Sequence, residues 1–425
     1  LCDNNMGYGE TGQMFMERMK REGVISARTV FIIISAETYT GSIFAPVEHQ
    51  PDGYIAKPFV PATLTEKLVQ QLRIKDALEN FYIAEDEGDH DQSVRYLKAL
   101  CQKPLTKAVA QKLLGKKLLD MGEYKQAETF FHALNDQRLR PWTAVGEAEA
   151  LQQLGRPEEG VEILNELIAD NPNAIQGLDA LRKFHEASGN EKDAYSLLKK
   201  VCKLNPTNID RQSNLGFRAL GQHDVNTAVG AFKQALKTAS GTPSETPDHF
   251  VNVSLGMRKA AQSTLDEKTQ SRLLEEASFQ LTQATKVFKT DPRLRMHQSL
   301  VKSMEYAHRG YESKAKSELA KAMETLRDTG LGEQDTLDFI ETAYFNKATD
   351  IGDHAAKMLI EKFPEDKRVR DNIRKVQEGP VNYHDRAEAA KLISLASEHF
   401  TKKNWTESAR FFADALGKAP HSVNL

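Results

Sequence analysis

The feature that most constrains this chain is a period. Gly155 and Gly189 stand 34 residues apart, and so do Pro172 and Pro206. In each copy one apolar-periodic segment (TAVGEAEALQQLG, then QGLDALRKFHEASG) stops at the glycine, and a second (EEGVEILNELIADNP, then KDAYSLLKKVCKLNP) stops at the proline. Apolar residues at helical spacing predict two amphipathic helices per copy. Glycine ends the first, because a left-handed turn is free of strain only without a Cβ. Proline ends the second, because it lacks an amide hydrogen and clashes with the preceding turn. A single hairpin cannot bury its apolar face, so the copies must stack.

This order resembles the tetratricopeptide repeat. The resemblance implies an α-helical superhelix, an α-solenoid, whose groove binds a protein or peptide. A divergent first hairpin turns at Gly88. A clearer copy follows with Leu114, Gly115, Gly122, Tyr124, Ala127 and Phe131, and another carries Leu215, Gly216, Ala228, Phe232 and Ala235. Small residues let paired helices approach, and the aromatic ones fill the space between adjacent repeats. The pattern is irregular between about 239 and 380, where TASGTPSETP is expected to be an exposed loop. It sharpens again at Trp405, Ala409, Phe412, Ala415 and Pro420. With no obvious capping helix after that copy, the chain is expected to continue past Leu425. By repeat position the groove candidates are Lys112, Lys116, Trp142, Glu149, Asp179, Lys183 and Phe217. They do not reproduce the basic and asparagine set that clamps a chaperone's C-terminal carboxylate.

Residues 1–72 read differently. A strand end (LCD) meets a glycine-containing turn (NNMGYGETG), a helix (QMFMERMKREG), an apolar strand (VFIIIS), a loop with a short helix, another strand (GYIAKPF) and a helix from PATLTEKL. Alternating strands and helices imply a parallel α/β layer. Functional groups of such a layer gather at the carboxyl ends of its strands, and here those ends carry Asp3, Ser35 and Lys57.

In order and spacing these residues resemble the second half of a response-regulator receiver domain, of flavodoxin-like α/β fold. LCDNNM would hold the phosphoacceptor, Ser35-Ala36 the hydroxyl pair and Lys57-Pro58 the lysine. The resemblance implies that Asp3 accepts a phosphoryl group from a sensor histidine kinase and that Ser35 and Lys57 bind its oxygens. It further implies that the Asn5 main-chain carbonyl and Asp3 help hold Mg²⁺ in the complete domain, and that Tyr54 is the aromatic switch. Carboxylate, lysine and hydroxyl suit phosphoryl transfer, which asks mainly for positioning and charge neutralisation. The family's acidic pair would fall before Leu1, so the true N-terminus is expected to be missing and this stretch alone is not expected to be phosphorylated normally. Met6-Gly7 replaces the usual Met-Pro, and Pro46 shortens or kinks the fourth helix. A first strand bare on one edge invites a homodimer through this half. An alternative use of Gly7, Gly9 and Gly12, as a GxGxxG dinucleotide site, leaves Ser35 and Lys57 unexplained.

The fold expected is mostly α: a partial receiver over 1–72, then a tetratricopeptide domain over 73–425. The function expected is a bacterial-type two-component response regulator whose output is protein binding. The alternative is a non-phosphorylated scaffold whose degenerate receiver serves docking or dimerisation. Between Pro61 and Gly88, leucines at 64, 68, 72 and 78 predict either one helix or two with a break near 73–75.

Composition excludes other classes. Lys plus Arg is 57 against 60 Asp plus Glu, interspersed, which gives no footprint for nucleic acid. Mean hydropathy is −0.54 and no run of about 18 apolar residues occurs, so no membrane span is expected. Three cysteines about a hundred residues apart are expected to be reduced and mostly buried, as in a cytoplasmic protein. His185-Glu186 approaches a zinc HExxH, but Gly189 replaces the second histidine, and no enzyme is expected.

Overall fold

The computed structural model of the chain describes residues 1–5, 11–36, 51–264, 266–330, 332–378 and 383–418. Three parallel strands, β1 (Cys2–Asp3), β2 (Ile32–Ser35) and β3 (Gly53–Ala56), pair in the order β1-β2-β3. Asp3 lies opposite Ile34 and Ile33 opposite Tyr54. Parallel neighbours require a crossover, and α1 (Gly12–Arg21) supplies the one between β1 and β2. The Thr11 hydroxyl caps it by accepting from the Met14 amide at 3.2 Å. Gly12 is required by close approach, since a Cβ there would stand 2.5 Å from the Asp3 carbonyl oxygen. Gly7 and Gly9, and the short helix with Pro46, lie outside the described residues. Met16, Phe31 and Ile33 form the local core, with Tyr54 packed beside them.

The segment after β3 is two abutting helices, α2 (Pro61–Ala77) and α3 (Glu79–Asp86). The junction is Leu78 rather than residues 73–75. Leu78 stays right-handed and its amide bonds the Ile74 and Lys75 carbonyls at 3.1 Å, so the chain barely leaves the helical path. The α/β layer is tied to these helices by charge. Arg28 pairs with Asp86 at 2.7 Å and Glu79 at 3.4 Å while lying over the Tyr82 ring, and Lys75 pairs with Asp52 at 2.9 Å.

Two compact units result: Leu1–Asn208 with Ser240–Pro243, and Ile209–Ala239 with Ser244–Leu425. In the first, α3 pairs with α4 (His90–Leu100), and the hairpins α5 (Lys107–Asp120)/α6 (Tyr124–Asn135), α7 (Pro141–Gln153)/α8 (Pro157–Asp170) and α9 (Ile175–Ala187)/α10 (Glu191–Leu204) follow. Each turn within a hairpin holds a left-handed glycine: Gly88, Gly122, Gly155 and Gly189, with φ between 72° and 78°. Phe131 of α6 is 2% exposed because glycine faces it twice. Cβ atoms at Gly115 and Gly146 would stand 2.5 and 2.3 Å from its ring.

The second unit contains the hairpins α11 (Ile209–Gly221)/α12 (Val225–Ala239), α13 (Pro247–Ser263)/α14 (Glu267–Val287), α15 (Pro292–His308)/α16 (Glu312–Thr329) and α17 (Glu333–Phe345)/α18 (Thr349–Lys362). After them come α19 (Lys367–Glu378) and the hairpin α20 (Tyr383–Thr401)/α21 (Trp405–Lys418). Among the described residues, the stretch read as irregular holds helical hairpins, several with longer helices, followed by α19. Val369, Ile373 and Val376 bury one stripe of α19 in the core formed with α17 and α18. Phe232 of α12 is gripped like Phe131, by Gly216 and Gly256.

Two expectations are corrected. The TASGTPSETP stretch is not simply exposed: Thr242 is buried, and Thr246 with His249 forms a capping box that opens α13. Of the cysteines only Cys202 is buried, because Cys2 and Cys101 sit at the margins of their cores.

His223, Lys347 and Lys403 adopt the left-handed turn conformation with φ near 60° although they carry a Cβ. The left-handed residue of each of these turns is not a glycine. Lys347→Gly removes a Cβ strain of about 1–2 kcal/mol and returns part of it as unfolded-state entropy. It is expected to stabilise the protein by about 0.5–1 kcal/mol in urea unfolding, and a loss would contradict the strain.

Candidate functional site

Parallel strands bring their carboxyl ends together, and that edge joins the Asp3 and Lys57 side chains across the end of β2, where Ser35 stands. The Lys57 ammonium donates to Asp3 Oδ2, and the Asn5 amide donates to Asp3 Oδ1 at 3.0 Å. The Lys57 amide donates to the Ser35 carbonyl at 2.7 Å, which fixes the lysine beside the end of β2. Hydrogen bonding from Lys57, then from the Asn5 amide, holds the Asp3 carboxyl below the usual carboxylate range. Asp3 remains accessible, with a side chain 44% exposed, while Ser35 is buried. Strand alternation sets Tyr54 on the same face as Ser35, since its partner across the pair is Ile33, and sets Asp3, whose partner is Ile34, on the other face. Chemically this edge is an accessible carboxylate next to a cation that could neutralise an anionic group on it.

Magnesium asks for octahedral oxygen ligation, commonly one or two carboxylates with carbonyls and waters. Both Asp3 oxygens are already engaged by donors, and among the described residues no group of three His, Cys, Asp or Glu side chains is placed to hold a metal ion. The described residues thus do not by themselves make a Mg²⁺ site.

The groove candidates fall into different settings. Lys112 and Lys116 lie on α5, Trp142 and Glu149 on α7, Asp179 and Lys183 on α9, and these helices neighbour one another in the first unit. Burial raises the Glu149 carboxyl, against the pull of Lys183, and burial lowers the Lys112 ammonium. Lys116 pairs with Asp120 at 2.5 Å and Asp179 with Arg182 at 3.4 Å. Trp142 packs edge-on against Phe131 with centroids 6.1 Å apart and lies half-buried against the core. Phe217 belongs to the second unit, stacks edge-on with Phe232 and is 42% exposed.

Beside this face, the buried Glu147 accepts from Asn135 at 2.6 Å and lies 2.9 Å from His132 Nδ1. The hydrogen bond to Glu147, then its charge and that of Asp136, raises the His132 imidazole. A raised folded value means that the stabilisation is complete below the unfolded histidine value of about 6.5 and is lost as pH rises through the folded value. Urea midpoints should therefore fall between about pH 5.5 and about pH 8.5 by more in the wild type than in His132→Gln. Equal falls would contradict this role.

A cluster that sequence reasoning missed crosses the second unit. Arg258 of α13, 1% exposed, makes a bidentate pair with Asp338 of α17 and donates to the Thr342 hydroxyl at 3.0 Å. His297 of α15 stands between Asp338 and Asp335, and Arg293 binds Asp335 at 2.9 Å and also Asp248. Lys259 pairs with Glu341 alongside.

The geometry defines a class: a mostly helical, tetratricopeptide-like hairpin array preceded by a small three-stranded parallel sheet. No family model matches the chain. Over 99 residues, 23% of this chain, it is 32% identical to cellulose synthase operon protein C of Pseudomonas fluorescens (strain SBW25), and the match spans 8% of that protein. Among solved structures it is similar to a thermophilic tetratricopeptide protein of Thermus thermophilus, at 22% identity and TM-score 0.34, over 48% of this chain and 98% of that one. It is also similar to the C-terminal part of a tetratricopeptide protein of Cytophaga hutchinsonii, at 12% identity and TM-score 0.38, over 61% and 98%. Among the described residues no helix is long and apolar enough to cross a membrane.

Proposed function

We propose that this protein is a two-component response regulator: a receiver-type α/β segment carries a phosphorylatable aspartate, Asp3, and the helical array binds a protein or peptide partner. The observation that carries the reading is the Lys57 ammonium seated on the Asp3 carboxylate at the carboxyl edge of the sheet, with Ser35 ending the adjoining strand. An Asp3 oxygen would attack the phosphorus of a histidine-bound phosphoryl group, the P–N bond would break, and Lys57 would move from the carboxylate to the new phosphoryl oxygens. Ser35 and Tyr54, on one face of the sheet, would respond to that charge. The added charge then biases a surface that the array can read, through the Arg28 and Lys75 pairs onto α3 and Asp52. A stacked hairpin array offers an extended face for such a partner.

The test is labelling of the full-length protein with a small acyl phosphate in the presence of Mg²⁺. One phosphoryl group should add to wild type and none to Asp3→Asn. Label that survives in Asp3→Asn would refute the assignment. No label on either protein would favour the adaptor reading, in which this segment only docks or dimerises.

A further inference from the structure

The cluster in the second unit makes a demand on one proton. His297 is 1% exposed, with Nε2 at 3.0 Å from Asp335 Oδ1 and Nδ1 at 3.4 Å from Asp338 Oδ2. Ionised carboxylates only accept hydrogen bonds. Both are kept ionised by guanidinium groups, Asp338 by two donors of Arg258 and Asp335 by Arg293 at 2.9 and 3.1 Å. A neutral imidazole has one N–H. Given to Asp335, it leaves Nδ1 as a buried lone pair facing an Asp338 oxygen, and Nδ1 has no hydrogen-bond partner here. Given to Asp338, it turns the lone pair on Nε2 toward Asp335. Each tautomer buries an uncompensated acceptor against a carboxylate.

We infer that His297 is held as an imidazolium, a structural proton clamped between two buried aspartates that fastens α13, α15 and α17 together, and that losing this proton releases them. Burial alone would raise both aspartates. Arg258 and His297 instead hold Asp338 low, as His297 and Arg293 do Asp335. Among the described residues, the charged groups facing His297 are Asp335 and Asp338 from α17, with Arg258 of α13 and Arg293 of α15 behind them.

The experiment uses the full chain with ¹⁵N-labelled histidine. At neutral pH one ring should show both nitrogens protonated, and His297→Gln should remove that signal. With rising pH the unfolding constant of the wild type should increase relative to His297→Gln, by up to about tenfold per pH unit, the slope of a single proton. If His297→Gln does not fold, Asp335→Asn retains the ring and should shift the same signal. A neutral tautomer for His297 at neutral pH, or equal pH slopes in wild type and variant, would overturn the inference.

Discussion

Asp338→Ala is expected to lower the unfolding free energy by about 3–5 kcal/mol. The reason is what stays behind. Arg258 is 1% exposed on α13 and would keep its charge with only the Thr342 hydroxyl as a partner, while His297 would lose one of its two carboxylates. A neutral group of similar shape does not rescue it, since Asp338→Asn presents an amide hydrogen to one guanidinium donor. Replacing both partners at once, Arg258→Met with Asp338→Leu, removes the stranded charge and should recover most of the loss. Urea unfolding of the three variants decides the matter: a mild effect of Asp338→Ala would mean that water reaches Arg258.

Phe131→Ala should cost about 3–5 kcal/mol for a different reason, a cavity at the joint between two hairpins. The ring fills the space left by Gly115 of its own hairpin and Gly146 of the next, and touches Phe130 and Trp142 edge-on. The same joint predicts a sign. In a free helix Gly→Ala gains about 1 kcal/mol, but at Gly146 the new Cβ would stand 2.3 Å from the ring, and overpacking of that kind costs about 1–3 kcal/mol. Gly146→Ala should therefore destabilise the wild type and become neutral or favourable beside Phe131→Leu. Destabilisation in both backgrounds would show that the ring is not the obstacle.

What could be read from the residues follows from the range of the forces involved. The hairpin period was legible because each mark is local: a left-handed glycine, a proline stop, and a phenylalanine facing glycine. The parallel strand order was legible because alternating apolar strands and helices leave few ways to connect. The turns at His223, Lys347 and Lys403 were not, because surrounding helices can force a left-handed conformation that the residue itself disfavours. The Arg258 cluster was invisible because Arg258 and Asp338 are 80 residues apart, and each alone reads as a solvated helix position. Trp142 read as a groove residue since its position is on the first helix of a hairpin, yet its ring turns toward Phe131. At the sheet edge, residue types and spacing indicated Asp3, Ser35 and Lys57, whereas how the Lys57 amide is fixed on the Ser35 carbonyl depends on register.

The function proposed turns on Asp3, and the most direct measurement locates the modified atom. After acyl-phosphate treatment of the full-length protein, borohydride reduction should convert the phosphorylated aspartate to homoserine, which peptide mass spectrometry reads at a single position. The account predicts homoserine at residue 3 and its absence in Asp3→Asn. Homoserine at another aspartate, with residue 3 unchanged, would contradict it.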